Sequence, residues 1–116
     1  MGADFTCWEH QLGLTPQKNE DIPRFQAIID AREPPTPTME AFLAFLLARF
    51  PEGQNDDGVW KQEPVRLFIT GPMMCFGVVW SKYREVRLFT RPAARKHGLD
   101  FYDHQSDLYI PASAAE

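Results

Sequence analysis

Apolar and polar residues alternate along several short runs of the chain. In "DFTCWEHQ", near the start, Phe5 and Cys7 fall on one side and Thr6 and Trp8 on the other, which is the period of a β-strand. Two later pairs of runs are rich in β-branched and aromatic residues: "VRLFIT" with "MMCFGVVW", joined by a Gly-Pro turn, and "LDFYD" with "DLYIP". The pattern therefore predicts one N-terminal strand and two later hairpins.

Three other segments repeat apolar residues at helical spacing. "EDIPRFQAIIDAR" places Phe25, Ile28 and Ile29 on one face, which predicts a short amphipathic helix. "MEAFLAFLLARF" carries a wider apolar stripe after Thr38, its expected N-cap, so it should be the most buried helix. A third helix is predicted over residues 81–97, with an interior proline that favours a kink or two shorter segments.

The predicted order of elements is β-α-α-β-β-α-β-β. This order describes an α+β fold, a mostly antiparallel sheet of about five strands with three helices packed on it. The 116 residues match the size of a single domain, which we place at residues 1–111, with 112–116 as a flexible tail.

The composition indicates the cellular compartment in which we expect the protein. No apolar run approaches the roughly 20 residues that cross a bilayer, and the N-terminus lacks the basic and apolar regions of a secretion signal. We therefore expect a cytoplasmic protein with no membrane partner. The two cysteines, Cys7 and Cys75, lie in separate predicted strands and are expected to be reduced, with a disulfide as the open alternative.

The net charge of −4 hides an uneven distribution. Residues 81–97 carry six basic side chains against one acidic, a balance of +5, so the rest of the chain carries −9. Such a charge dipole steers the approach of a charged partner. The acidic balance of the chain as a whole argues against a nucleic-acid partner. A small nucleic-acid-binding or regulatory protein stays as the alternative function, and it would use the basic residues Lys82, Arg84, Arg87, Arg91 and Arg95.

The stretch "RKHGLDFYDHQSDLYIP" concentrates histidines and aspartates near the C-terminus. One interpretation is a hydrolase or metal enzyme built on His97, Asp103 and His104. However, the chain has no C-x-x-C, H-E-x-x-H or G-x-S-x-G motif, and the spacing of these histidines fits no usual zinc site. A helix end at His97-Gly98 followed by a hairpin explains the residues more simply, because Asp is common at the start of turns. We therefore predict no enzyme activity, no metal and no cofactor.

Several segments together resemble a known family. They are "FTCWEH", "FL..LL.RFPE", the loop with an isolated tryptophan, "GVVWSKY.EV" and the closing "A.KHGLDFYD.QSDLYIP". These segments resemble the small immunity proteins found beside bacterial antibacterial toxins, including toxins delivered by type VI secretion. In that family an "A..HG" step precedes an apolar-aromatic strand and a final "Y.P" or "W.P". The chain departs from the pattern at His104, where many relatives carry Pro or Val, and at Pro92 inside the predicted helix.

The resemblance implies a non-enzymatic protein that binds a toxin encoded by a neighbouring gene and blocks its active site. If the toxin is a nuclease, its substrate groove is basic, and an acidic surface on the inhibitor would mimic the nucleic acid. Interface anchors are typically aromatic residues ringed by polar groups. For Trp60 the alternative is a lid over the core, and a homodimer is also left open. The candidate partner-binding residues are Glu52, Asp56, Asp57 and Trp60 in the loop after the second helix, and Asp103, His104 and Asp107 at the tip of the last hairpin.

Overall fold

A five-stranded antiparallel sheet forms the centre of the computed structural model, which describes residues 2–113 apart from the side chain of Asn55. The strands follow the order β2-β3-β1-β4-β5 across the sheet. The N-terminal strand therefore lies in the middle, paired with β3 on one side and with β4 on the other. The strands are β1 Gly2–Glu9, β2 Ile69–Thr70, β3 Met73–Val79, β4 Leu99–Asp103 and β5 Leu108–Ile110.

Three helices cover the two faces of the sheet. On one face α2 and α3 bring Phe42 and Val86 into the main core, beside Phe5 of β1. On the other face α1 packs Phe25 edge-on against Trp8, with the ring centroids 5.0 Å apart. The helices are α1 Ile22–Ala31, α2 Pro37–Arg49 and α3 Tyr83–Lys96.

The alternation of side chains along β1 divides the interior into two clusters. Phe5 and Cys7 are fully buried in the main core under α2 and α3. Trp8 is fully buried in the smaller cluster on the α1 side, and Thr6 faces that side too. Because each large apolar side chain stabilises the fold by about 1.5–3 kcal/mol when buried, both clusters hold the sheet in place.

The predicted α+β class and the single antiparallel sheet are confirmed, and the order of strands and helices broadly matches. One predicted strand is shorter than expected. Val65–Phe68 forms a 3₁₀ turn, and only Ile69–Thr70 pairs with β3. The β-forming composition of "VRLFIT" does not show where pairing begins, and here Ile69 and Thr70 alone face partners across the turn.

The prediction of Thr38 as the N-cap of α2 is wrong by two residues. Thr36 is the cap, and its Oγ1 accepts a hydrogen bond from the Met39 backbone N–H at 3.2 Å. Pro37 takes the first helical position, where its missing N–H costs nothing and its fixed φ suits the helix. The helix therefore begins two residues earlier in the chain than the apolar stripe indicates.

The third helix is continuous through Pro92. Thr90 and Ala93, on either side of this exposed proline, are buried against the rest of the protein, so packing holds the helix together. The helix ends as predicted, because Gly98 has a φ of 72°, the left-handed conformation that glycine tolerates best.

The chain after β5 is tied back to the sheet at Ala112, whose N–H donates to Asp100 Oδ1 at 2.8 Å. Residues 114–116 of the predicted tail lie outside the described residues. Among the helices of residues 2–113, none combines the length and the apolar character needed to cross a membrane.

Candidate protein-binding surfaces

The loop between α2 and β2, residues 51–64, is built onto the edge of the sheet. Lys61 N–H donates to the Gly77 carbonyl at 2.9 Å, and Val79 N–H donates to the Val59 carbonyl at 2.8 Å. Because β2 pairs only with the beginning of β3, this part of the loop takes the place of an edge strand beside the rest of β3. Backbone hydrogen bonds therefore fix the middle of the loop.

Trp60 anchors the same loop from inside the protein. Its side chain belongs to the main core, is only 6% exposed, and packs edge-on against Phe76 with centroids 5.7 Å apart. The indole Nε1 donates to the Phe50 carbonyl at 2.7 Å, which satisfies the one polar atom that the ring buries. Of the two interpretations of Trp60, the geometry therefore corresponds to the lid over the core.

Two carboxylates of the loop fold back onto it. Glu52 Oε2 accepts a hydrogen bond from the Val65 N–H at 2.6 Å. Glu63 accepts from the Gly53 N–H, at 3.1 Å through one oxygen and 3.2 Å through the other. The structure thus places Glu52, a predicted contact residue, as a link between the two ends of the loop.

Asp56 and Asp57 form the outer part of the loop. Both lie in a 3₁₀ turn and are exposed. Within the part of the chain that the structure describes, neither carboxylate takes part in a hydrogen bond or an ion pair. Asp57 also lines a depression of about 140 Å³ that reaches Lys82 at the start of α3. These two carboxylates are the acidic groups that the loop offers to a partner.

At the last hairpin, Asp103 is fully buried rather than exposed. Its Oδ1 accepts the Gln105 N–H at 3.0 Å, and its Oδ2 accepts the Ser106 hydroxyl at 2.9 Å, the turn chemistry expected of Asp at this position. The same carboxylate also accepts the Tyr83 hydroxyl and lies 3.6 Å from Arg87 Nη1. Asp103 therefore joins the hairpin to α3 and holds it in position.

The other two predicted residues of the hairpin are exposed. His104 Nε2 lies 2.7 Å from Thr6 Oγ1, and burial of part of the ring lowers the pKa of His104. Asp107 adopts a φ of 52° and accepts the Tyr102 hydroxyl, a bond that raises the pKa of Tyr102 to about 12. His104 and Asp107 can therefore contact a partner while their neighbours fix the shape of the turn.

Beyond α1, on the same side of the sheet, a groove connects the hairpin to the base of the loop. His104 and Gln62, the latter from the end of the loop, both line a volume of about 270 Å³ over β1 and β3. His104 also borders a second volume of about 350 Å³ between α1 and the sheet, walled by Trp8, Phe25 and Met73. Neither groove was predictable from the sequence, because each combines residues that are distant along the chain.

An exposed tryptophan lies beside α3, although its position at the end of an apolar strand pattern predicts burial. Trp80, in the turn before α3, is 56% exposed, as is Leu88 on the helix itself. Arg84 is exposed between them, whereas Arg87 is half-buried beside Asp103. Both Trp60 and Trp80 follow apolar residues in the sequence, so only the packing distinguishes the buried ring from the exposed one.

His97 lies apart from His104, another residue of the candidate enzyme site. His97 packs its ring against Phe42 and Phe45 on the side of α2, with centroids 5.5 and 5.3 Å away, and its Nδ1 lies 2.8 Å from the Ala93 carbonyl. His104 instead lies against Thr6 on the α1 side of the sheet. The arrangement therefore offers no shared pocket in which His97 and His104 could act on one substrate.

A different histidine pairs with a buried carboxylate. His10 Nδ1 lies 2.7 Å from Oδ1 of Asp100, which is almost fully buried. Asp100 Oδ2 also accepts the Tyr109 hydroxyl at 3.1 Å, and burial raises the pKa of that tyrosine to about 12. Together with the bond from Ala112, these contacts join the C-terminal segment and the turn after β1 to Asp100 of β4.

The two cysteines are free thiols on neighbouring strands. Cys7 points into the main core and Cys75 toward the α1 side, so their side chains leave opposite faces of the sheet. Burial raises the pKa of the Cys7 thiol well above its usual value and also raises that of Cys75. Both thiols are therefore protonated at neutral pH and behave as apolar side chains.

Within residues 2–113, no three His, Cys, Asp or Glu side chains come together as a set that could hold a metal ion. Comparison of the chain with protein-family models, with curated proteins and with solved structures finds no match.

Proposed function

We propose that the protein is an immunity protein, which binds a toxin encoded by a neighbouring gene in the cytoplasm of the producing cell and blocks the toxin's active site. The observation that carries the proposal is the acidic loop 51–64. Its exposed Asp56 and Asp57 stand on a base that Trp60 and Glu52 fix to the rest of the protein. The resemblance of the chain's strand and helix junctions to immunity proteins supports the same conclusion.

A fixed acidic loop suits an inhibitor for two physical reasons. A surface that is already ordered loses little conformational entropy on binding, so more of the contact energy appears as affinity. Exposed carboxylates also attract a basic groove over a distance of about 10 Å at moderate salt, which speeds association. The toxin that fits this loop best is therefore a nuclease with a basic substrate groove, and His104 and Asp107 form the second contact.

The proposal is tested by producing the toxin of the neighbouring gene in cells with and without this chain. Growth should be restored only when both are present, and the two proteins should co-purify. Asp56→Asn combined with Asp57→Asn should then raise the Kd of the complex roughly 5- to 30-fold, because exposed charge pairs contribute up to about 1 kcal/mol each. The loss should lie mainly in the association rate and should shrink at high salt.

The matched control removes two carboxylates from the opposite side of the molecule. Glu20→Gln with Asp30→Asn changes the net charge equally at exposed positions near α1. These substitutions should leave the Kd within about twofold, as surface changes outside an interface usually do. Absence of both rescue and co-purification would refute the immunity function, whereas equal losses from the two pairs would refute the loop as the contact.

A further inference from the structure

The outer side of α3 carries an arrangement of side chains that the loop does not explain. Arg84, Leu88 and Arg91 share one face of the helix by their spacing, and Trp80 precedes them in the adjoining turn. Trp80 and Leu88 are each 56% exposed, which is unusual for two large apolar residues about two helical turns apart. We call these four residues the α3 face.

Trp80 is held rigidly in its exposed position. Its ring stacks on Tyr83 with centroids 5.1 Å apart, and Tyr83 stacks in turn on Phe5 of the core, at 5.8 Å. The Tyr83 hydroxyl is bonded to the buried Asp103. An exposed aromatic ring that is already fixed by a column of rings costs little entropy to bury, and tryptophan and arginine are the commonest anchors of interfaces.

The charge of the α3 face is positive and largely uncompensated. The acidic residue nearest in sequence, Glu85, is paired with Arg49 at 2.9 Å. Among the described residues, Arg84 and Arg91 form no ion pair. The face therefore offers two guanidinium groups beside two apolar side chains, an arrangement complementary to carboxylates that flank an apolar residue.

We infer that the α3 face docks an acidic segment of another protein, which places an apolar side chain between Trp80 and Leu88 and carboxylates on Arg84 and Arg91. A second copy of the chain joined face to face would bring like charges together, at a cost in affinity. A nucleic acid carries one phosphate per about 1.7 Å of duplex, and the strongly acidic rest of the chain would repel these phosphates. A short acidic segment meets only the local positive charge. This partner is distinct from the toxin, so the inference does not rest on the immunity function.

The test is a selection of peptides of about 15 residues, roughly four helical turns, from a random library displayed on phage against the immobilised protein. The enriched peptides should carry Asp or Glu around a large apolar residue. Synthetic copies should bind roughly tenfold or more weakly when Leu88→Ser is combined with Arg84→Glu, as expected for the loss of interface anchors. The control combines Leu67→Ser, at a leucine 73% exposed in the turn before β2, with Lys18→Glu, and should keep the affinity.

Three results would overturn the inference. The first is that no peptide is enriched over the bare support. The second is that the enriched peptides lack acidic residues. The third is that the peptides bind the variant with Leu88→Ser and Arg84→Glu as tightly as they bind the parent protein. Retention of a labelled single strand of about 20 nucleotides, lost in that same variant, would assign the α3 face to nucleic acid instead. Urea unfolding of each variant checks that all of them keep the parent's stability, which is expected because the substituted side chains are exposed.

Discussion

The replacement Trp60→Phe tests whether the loop 51–64 is held in place by its buried tryptophan. The change removes the indole N–H, so the Phe50 carbonyl loses its partner at a cost of about 1–3 kcal/mol. It also removes part of a core side chain that is only 6% exposed, which adds about 1 kcal/mol for lost packing. We expect the free energy of unfolding to fall by about 3 kcal/mol in total.

Urea denaturation measures this loss. With a slope of roughly 1.5–2 kcal/mol per molar urea, typical of a small domain, the midpoint should fall by about 1.5–2 M. The amide hydrogens of Lys61 and Val79, which pair the loop with β3, should also exchange faster in the variant. Local loosening of the loop would accompany the global loss.

The same chemical change at the exposed tryptophan is the control. Trp80→Phe removes an indole that is 56% exposed, and it should alter stability by less than about 0.5 kcal/mol. If Trp60→Phe and Trp80→Phe have equal midpoints, or if Lys61 and Val79 keep their exchange rates, Trp60 does not anchor the loop and the reasoning for a rigid acidic surface fails.

Three further predictions concern Asp103, His104 and Cys7. Asp103→Ala should lower the free energy of unfolding by about 3 kcal/mol, because it leaves Tyr83 and Arg87 without their carboxylate partner. Asp56→Ala should leave the free energy of unfolding almost unchanged. Urea unfolding compares the two variants, and similar values would contradict the role of Asp103 as the link between the hairpin and α3. Burial lowers the pKa of His104 below its usual 6.5, so the unfolded chain binds a proton at this histidine before the folded protein does. The free energy of unfolding should therefore fall as the pH drops through 6.5. His104→Gln should make the urea midpoint less dependent on pH, and an unchanged dependence would contradict the partial burial of this ring. Cys7 should resist alkylation at neutral pH until urea unfolds the chain, and rapid modification of the folded protein, detected by peptide mass mapping, would contradict its burial.

Local patterns were sufficient for most of the fold. The alternation along β1 correctly predicted that Phe5 and Cys7 point to one face of the sheet and Thr6 and Trp8 to the other. This prediction succeeds because the period of a strand depends only on backbone geometry. The left-handed Gly98 after α3 followed from the same kind of local rule. Such features need no knowledge of what lies across the sheet.

Contacts between distant segments were not predictable in this way. The loop 51–64 contains turn-forming residues throughout, and its pairing with β3 depends on a strand that comes later in the chain. The turn at Asp103 was expected from its residue type, but its burial depends on Tyr83 and Arg87, on a helix about 20 residues earlier. The exposure of Trp80 likewise depends on how α3 meets the sheet.

Hydrogen exchange of the protein, alone and mixed with the toxin of the neighbouring gene, shows whether and where the two proteins bind. We expect the backbone amides in residues 51–64 and around His104 and Asp107 to exchange more slowly when the toxin is present. Slowed exchange in other segments alone would show that a different surface binds the toxin. Identical exchange throughout the chain, at concentrations where both proteins are folded, would contradict the proposal that the protein binds this toxin at all.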